Sequence, residues 1–147
     1  MQGITQRLYQ EAFNRFTDLH TAAYRVTRGR VGGTIRGAPI VLVDHLGRKS
    51  GKHRTTPLLY LPDGDDVVVI ASKGGSHRHP AWWLNLREMD ETEIQIGREQ
   101  RRVKVREASP AERERLWPQV VEMYANYAEY QKRTDREIPL GILSPVG

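Results

Sequence analysis

An α+β domain, with a small antiparallel barrel or sheet as its β part, is the fold class this sequence predicts. Short apolar runs recur between residues 39 and 106 and are joined mostly by hairpin-length turns. Helical periodicity is confined to the two ends and one inserted segment, the pattern of segregated helices and strands. No internal repeat or low-complexity linker interrupts the 147 residues, so 1–147 reads as one domain, long enough to bury a core.

Taken in order, residues 4–28 place Ile4, Leu8, Ala12, Phe16, Leu19 and Ala23 at steps of three and four, one helical stripe. Gln6, Arg7, Glu11, Asn14, Arg15 and Asp18 fall largely off it. Segment 1–30 is therefore expected to hold an amphipathic helix, ended by Gly29, Gly32 and Gly33. Its basic end (Arg25, Arg28, Arg30) suits packing on the sheet or contact with anionic headgroups. Pro39 to Leu46 reads as a mostly buried strand, followed by a basic turn at 47–54 and a strand near 56–61. Pro62-Asp63-Gly64-Asp65 is a turn and Val67 to Ala71 an apolar return strand, so 56–72 forms a hairpin.

Pro80 suits the first turn of a short helix carrying Trp82, Trp83, Leu84 and Leu86. Thr92–Ile96 and Arg102–Arg106 form a second hairpin about Gly97. Ser109-Pro110-Ala111-Glu112 is a capping box with proline at the first helical position. Pro118 is expected to kink or restart that helix, since it lacks the amide donor. The segment Arg136–Leu143 supplies a last strand.

Hydrophobic residues make up 38% and charged residues 28%, the balance of a soluble globular chain. A net charge of +5 and a pI near 9.7 favour anionic ligands without choosing among them. The absence of cysteine excludes disulfides and thiolate chemistry and fits a cytoplasmic location. No apolar run is long enough to span a bilayer. Basic residues are not interleaved with stacking aromatics, so nucleic acid is not an expected partner.

The chemistry-bearing residues concentrate between 47 and 87. In the turn HLGRKSGKHR, Gly47 and Gly51 permit an anion-binding nest of backbone N–H groups. Arg48, Lys49, Lys52 and Arg54 add charge, and Ser50 adds a hydroxyl. The alternative is a solvated basic hairpin turn. A Walker A loop is excluded, because three residues rather than four separate the glycines and His53 follows Lys52. A nucleophile elbow is excluded too, because Ser50 is followed directly by Gly51. Ser72-Lys73-Gly74-Gly75 ends a strand where backbone can approach a ligand, or is simply an exposed turn. Trp82 and Trp83 point about 100° apart on a helix, so one belongs to the core and the other is free to wall a pocket. Tyr124, Tyr127 and Tyr130 recur every third residue and line one helix side, packing on the sheet or facing a planar, electron-poor substrate. His77 and His79 read as solvated loop. No HExxH, carboxylate dyad or Ser/His/Asp set stands out and no metal site is expected, so a cofactor should carry any chemistry.

Gly47-Arg48-Lys49-Ser50-Gly51, Arg54, Pro57-Leu58, Ala71-Ser72-Lys73-Gly74-Gly75, Pro80 and Trp82 with Leu84-Asn85-Leu86 together resemble the deazaflavin-dependent nitroreductase family of actinobacteria. Trp117-Pro118-Gln119, Met123-Tyr124, Tyr127, Tyr130, Thr134-Asp135-Arg136 and Ile138-Pro139 are similar to the same family. The resemblance implies an FMN-binding split-barrel-like fold, α+β with flanking helices. It also implies reduced coenzyme F420 as hydride donor to a quinone, nitroaromatic or activated alkene.

By that resemblance Arg48, Lys49, Ser50 and Arg54 hold the phosphate and polyglutamate tail. Thr55, Thr56, Pro57, Leu58 and Leu59 run along the deazaflavin ring with Ile70, Ala71, Ser72 and Lys73. Ala81, Trp82, Trp83, Leu84 and Asn85 close the pocket. Tyr124, Tyr127 and Tyr130 line the acceptor side, Tyr127 also touching the cofactor, and a tyrosine or water supplies the proton. Leu59, where the nitroreductase has a tyrosine, and Trp83, in place of another aromatic, leave a quinone or activated alkene at least as well suited as a nitroimidazole. Alternatives are a non-catalytic deazaflavin- or lipid-binding module, peripheral on the inner face of the membrane, and an FMN-using split-barrel oxidoreductase. Monomer and homodimer both remain open.

Overall fold

The computed structural model describes residues 18–25, 27, 29, 34, 35 and 37–146. The predicted positions Ile4, Leu8, Ala12, Phe16, Arg28, Arg30, Gly32 and Gly33 lie outside them. Among the described residues seven strands are present: β1 (Thr34–Ile35), β2 (Ala38–Leu46), β3 (His53–Asp63), β4 (Asp66–Ile70), β5 (Glu91–Ile96), β6 (Glu99–Glu107) and β7 (Leu140–Pro145). Between them stand α1 (Ala81–Leu86), α2 (Pro110–Met123) and α3 (Asn126–Lys132), with a 3-10 turn at Lys73–Gly75.

All pairings are antiparallel, in the order β1-β2-β3-β4-β7-β6-β5. A further pairing of β2 with β5, through Leu42 with Gln95 and Val43 with Ile94, closes the six strands β2 to β7 into a barrel. Closure removes the exposed sheet edges that an open sheet would leave. The predicted hairpins are β3–β4 and β5–β6, and the predicted tail strand becomes β7, inserted between β4 and β6.

Strand β4 explains its own continuous apolar sequence. Val67 and Val69 face the barrel interior with Val41, Val43, Tyr60, Val103 and Leu143, whereas Val68 and Ile70 face outward against Leu116 and Val120 of α2 and Tyr127 of α3. A strand buried on both faces has no polar alternation to show. The interior is plugged by Trp83 and Leu86 of α1, both fully buried. Gly141 on β7 makes room for that plug: a Cβ there would lie 2.9 Å from Trp83 Cζ3 and from Val69 Cγ2.

Helical residues 18–25 pack on the outer face of β2. Tyr24, 1% exposed, lies against Ile40 and Leu42; its hydroxyl donates to the Ile40 carbonyl (3.0 Å) and accepts from the Gly97 N–H (2.6 Å). The buried positions are thus Thr21 and Tyr24, while Leu19, placed on the apolar stripe by periodicity, is 73% exposed. Gly29, at φ +86°, ends the segment by donating to the Tyr24 carbonyl. Arg25, one of the charges offered to a membrane, turns instead to Asp44 and Thr55. Among the described residues no helix is long and apolar enough to cross a membrane.

Helix α2 begins as its capping box requires: the Glu112 N–H donates to Ser109 Oγ (3.2 Å) and the Ser109 N–H to Glu112 Oε1 (3.0 Å). Pro118 does not break it, and the helix runs through to Met123. The proline and Glu114, whose carbonyl loses its partner, are both exposed, so water can take the missing donor's place. The restart comes after Tyr124, which is extended at φ −149°, ψ 98°.

Candidate cofactor site

The basic turn between β2 and β3 is a closed loop. The Gly51 N–H donates to the Gly47 carbonyl (2.8 Å), the Gly47 N–H to the Lys52 carbonyl (2.9 Å), and the Lys52 N–H to Ser50 Oγ (3.2 Å). Gly51 sits at φ +70°, a conformation that suits glycine. Most of the nest's amides are therefore spent internally, and what the turn presents outward is side-chain charge. Arg48, Lys49, Lys52 and Arg54 are all exposed, and none forms an ion pair with a described carboxylate. Arg25, Arg101, Arg102, Arg106, Arg113, Arg115 and Lys132, by contrast, are all paired. Four neighbouring cations without carboxylate partners repel one another, and an anionic ligand relieves that repulsion.

A cleft of about 530 Å³ opens beside the turn, between helical residues 18–25 and the start of β3. Asp18, Thr21, Arg25, Lys52, Arg54 and Thr55 line it. Thr55 Oγ1 donates to Asp44 Oδ1 (2.7 Å) and accepts from Arg25 (3.2 Å), which fixes the floor. Farther along the outer face of β3, Leu59 packs against both the Tyr24 cluster and the outer core under the C-terminal helices, which Tyr124, Tyr127 and Tyr130 also join. Pro57, Leu58 and Leu59 remain half-buried, Leu58 against the interior core.

The segment Ser72–Gly75 reaches the tyrosine-bearing helix through Gly75. Lys73 has φ +45°, uncommon for a residue with a Cβ, and begins a left-handed run through Gly74 and Gly75. The turn rests on α3, where a Cβ on Gly75 would lie 2.6 Å from the Tyr130 carbonyl. Arg136 holds it from behind: Nε donates to the Ser76 carbonyl (2.8 Å), NH1 to Ala71 (3.2 Å) and NH2 to Ser72 (2.8 Å). His77 bonds to Thr134, and half-buried His79 meets Arg136 at 3.1 Å, so neither is the purely solvated side chain that the sequence suggested.

The three tyrosines come together although they do not share one helix. Tyr124 precedes α3; Tyr127 and Tyr130 lie within it. Their rings stack edge to face, with centroids 5.2 Å and 5.9 Å apart. Tyr127 is 5% exposed, and burial pushes its phenol far above the usual range, which makes it a packing group that keeps its proton. Tyr124, bonded to Asn126, and Tyr130 are more open. Burial also raises Tyr130.

The predicted α1 residues divide. Trp83 is core and Trp82 half-buried, their planes 73° apart; Ala81 is exposed and Leu84 half-buried. Asn85 is buried, with its amide committed to the protein: Oδ1 accepts from the Arg48 N–H (3.1 Å) and guanidinium (3.2 Å), and Nδ2 donates to His45 Nδ1 (3.1 Å). His45 Nε2 continues to Thr56 Oγ1 at 2.9 Å. Sequence reasoning counted Lys52 in the anion-binding turn but passed over His45, Arg25 and Arg136 as site residues. These three act through contacts distant in sequence.

A closed antiparallel barrel with a helical plug and flanking helices is a split barrel, the fold of a solved F420-H2 dependent reductase. The F420H(2)-dependent quinone reductase family model matches residues 16–145, and the chain belongs to that family. It is 43% identical over 130 residues to an F420H(2)-dependent quinone reductase of Mycobacterium tuberculosis strain H37Rv, covering 86% of this chain and 87% of the relative. A solved F420-H2 dependent reductase is similar over 72% of this chain and 94% of its own, at 40% identity and TM-score 0.66. A second solved chain, described as a domain-swapped dimer, is similar over 97% and 98% of the two chains, at 32% identity and TM-score 0.67. The chain is thus an F420-dependent oxidoreductase. The residues present fit its cofactor: cations without carboxylate partners suit an anionic tail, and a half-buried apolar strand suits a flat ring.

Proposed function

We propose that this chain reduces quinones with reduced F420, binding phosphate and tail in the cationic cleft and the ring along the outer face of β3. The observation that carries the reading is the run of cations without carboxylate partners, Arg48, Lys49, Lys52 and Arg54, on the turn beside that cleft, with Lys52 and Arg54 lining it. Bound there, reduced F420 supplies a hydride. Charge-assisted bonds to its anionic groups contribute roughly 1.5–3 kcal/mol each before desolvation. Leu59, Pro57 and the Ser72–Lys73 turn border the ring, and Tyr124 and Tyr130 face the acceptor. Edge-to-face packing on Tyr127 holds those two rings in place, so the chain contributes proximity and a dry surface rather than a nucleophile. Leu59 leaves an apolar wall, which favours a quinone over a polar nitroimidazole.

The test is anaerobic mixing with reduced F420 and, separately, menadione, a cyclohexenone and a nitroimidazole, following return of the oxidised deazaflavin absorbance. Oxidation that needs both protein and quinone, and that falls in Lys73→Ala, is expected. Tight binding without oxidation by any acceptor would favour a non-catalytic carrier, and equal activity with reduced FMN would remove the F420 assignment.

A further inference from the structure

His45 lies on β2 opposite Arg54 of β3, yet its ring is only 3% exposed. A buried imidazole needs partners for both nitrogens, and His45 has them in Asn85 and Thr56. The proton positions follow from the far end of the chain of contacts. Arg48 directs two donors, its backbone N–H and its guanidinium, at one atom, Asn85 Oδ1. Neither donor can become an acceptor, so the Asn85 amide nitrogen must point at His45. His45 Nδ1 then carries the lone pair and Nε2 the proton, which goes to Thr56 Oγ1. The Thr56 hydroxyl keeps its own proton for donation elsewhere.

The ring stays neutral at ordinary pH. Burial pushes it down to about 4; Arg54 and His53 on β3 push the same way, and Asp44 on β2 opposes them. A neutral acceptor facing Asn85 is the state the rest of the chain requires. A protonated Nδ1 would set two donors against each other.

We propose that His45 is a positioning residue for the basic turn: by accepting from Asn85 Nδ2 it satisfies the buried amide and keeps Asn85 where its Oδ1 holds the Arg48 backbone and guanidinium. It thereby fixes where the turn presents charge to an anionic cofactor. The proposal rests on the F420 reading above. An apolar side chain at 45 would fill the space and offer no acceptor. With no acceptor at 45 the buried Asn85 NH2 would lose its partner, and Asn85 would shift to satisfy it, loosening its hold on Arg48 and the turn without emptying the barrel mouth.

Binding of oxidised F420, followed by its fluorescence, should be measured for wild type, His45→Leu, His45→Asn and Asn85→Leu, with melting curves for each. His45→Leu and Asn85→Leu should weaken binding about tenfold, the loss of roughly one such hydrogen bond. In His45→Leu, kcat at saturating cofactor should stay near wild type, because the lost contact positions the turn and does not touch the reacting atoms. His45→Asn, whose Oδ1 stands near the place of Nδ1, should recover most of the affinity. Unchanged affinity in His45→Leu, even with a lower Tm, or no rescue by asparagine, overturns the proposal. Should His45→Leu not fold, ¹⁵N–¹H correlation of the wild-type imidazole decides: an Nε2–H tautomer supports it and an Nδ1–H tautomer overturns it. Wild type that does not bind F420 removes the F420 reading together with this inference; wild type and His45→Leu binding equally removes the inference alone.

Discussion

Two kinds of charge occupy the surface of this protein, and single substitutions separate them. Arg54 is exposed and has no described carboxylate partner, so its removal should leave folding intact and subtract from ligand binding. Arg54→Ala is expected to raise the Kd for oxidised F420 about tenfold and to flatten its salt dependence, with Tm unchanged. Titrations at low and high salt check this. Glu112 belongs to the second kind. Hydrogen bonds from Arg106 (2.6 Å) and from the Ser109 N–H hold its carboxyl down to about 2, against an ordinary 4.5. A depressed carboxyl stabilises the fold fully above its unfolded pKa and loses that contribution as pH falls through the folded value. Glu112→Gln should therefore lower Tm at pH 7, with the difference shrinking below pH ~4.5 and vanishing near pH ~2. A constant offset across that range would mean the carboxylate does not carry the effect.

At the scale of elements, one side chain organises a loop. Arg136 satisfies three carbonyls of the Ala71–Ser76 segment, within which Lys73 adopts its unusual left-handed conformation. Arg136→Lys keeps the charge but cannot span three acceptors, and is expected to cost about 2 kcal/mol in urea unfolding. Faster hydrogen exchange at Gly75 and Ser76 should accompany it; unchanged exchange would place the loop's rigidity elsewhere. Gly141→Ala tests the plug: its Cβ would press on Trp83 and Val69, and overpacking of this kind costs roughly 1–3 kcal/mol. The local elements were legible because their signals are local, as in the capping box at Ser109 and the Asp63-Gly64 turn. Pro118 misled because a proline's damage depends on which face it occupies, and here that face is solvent. Leu19 misled because periodicity names a stripe without saying which neighbour covers it. The tyrosine spacing pointed to a shared surface, which the fold supplies by a helix break rather than by one helix face.

The whole molecule depends on a contact that no sequence window contains. Closure of the barrel joins Leu42 and Val43 to Gln95 and Ile94, and neither strand's pattern says that it pairs with the other. The same holds for the chain Arg48–Asn85–His45–Thr56, whose members lie on β2, the basic turn, α1 and β3. The family, by contrast, was legible, because its motifs sit in the turn at Gly47–Gly51 and the Ser72–Gly75 segment, where backbone geometry restricts residue choice. The central claim is hydride transfer from reduced F420 to a quinone on this barrel. It is tested most directly by anaerobic stopped-flow oxidation of reduced F420, protiated and deuterated at the transferring carbon, with menadione as acceptor. Saturable, protein-dependent oxidation with a primary isotope effect, weakened at limiting F420 by Arg54→Ala, is the expected result. Oxidation no faster than in buffer alone, with menadione and with longer-chain quinones, would contradict it.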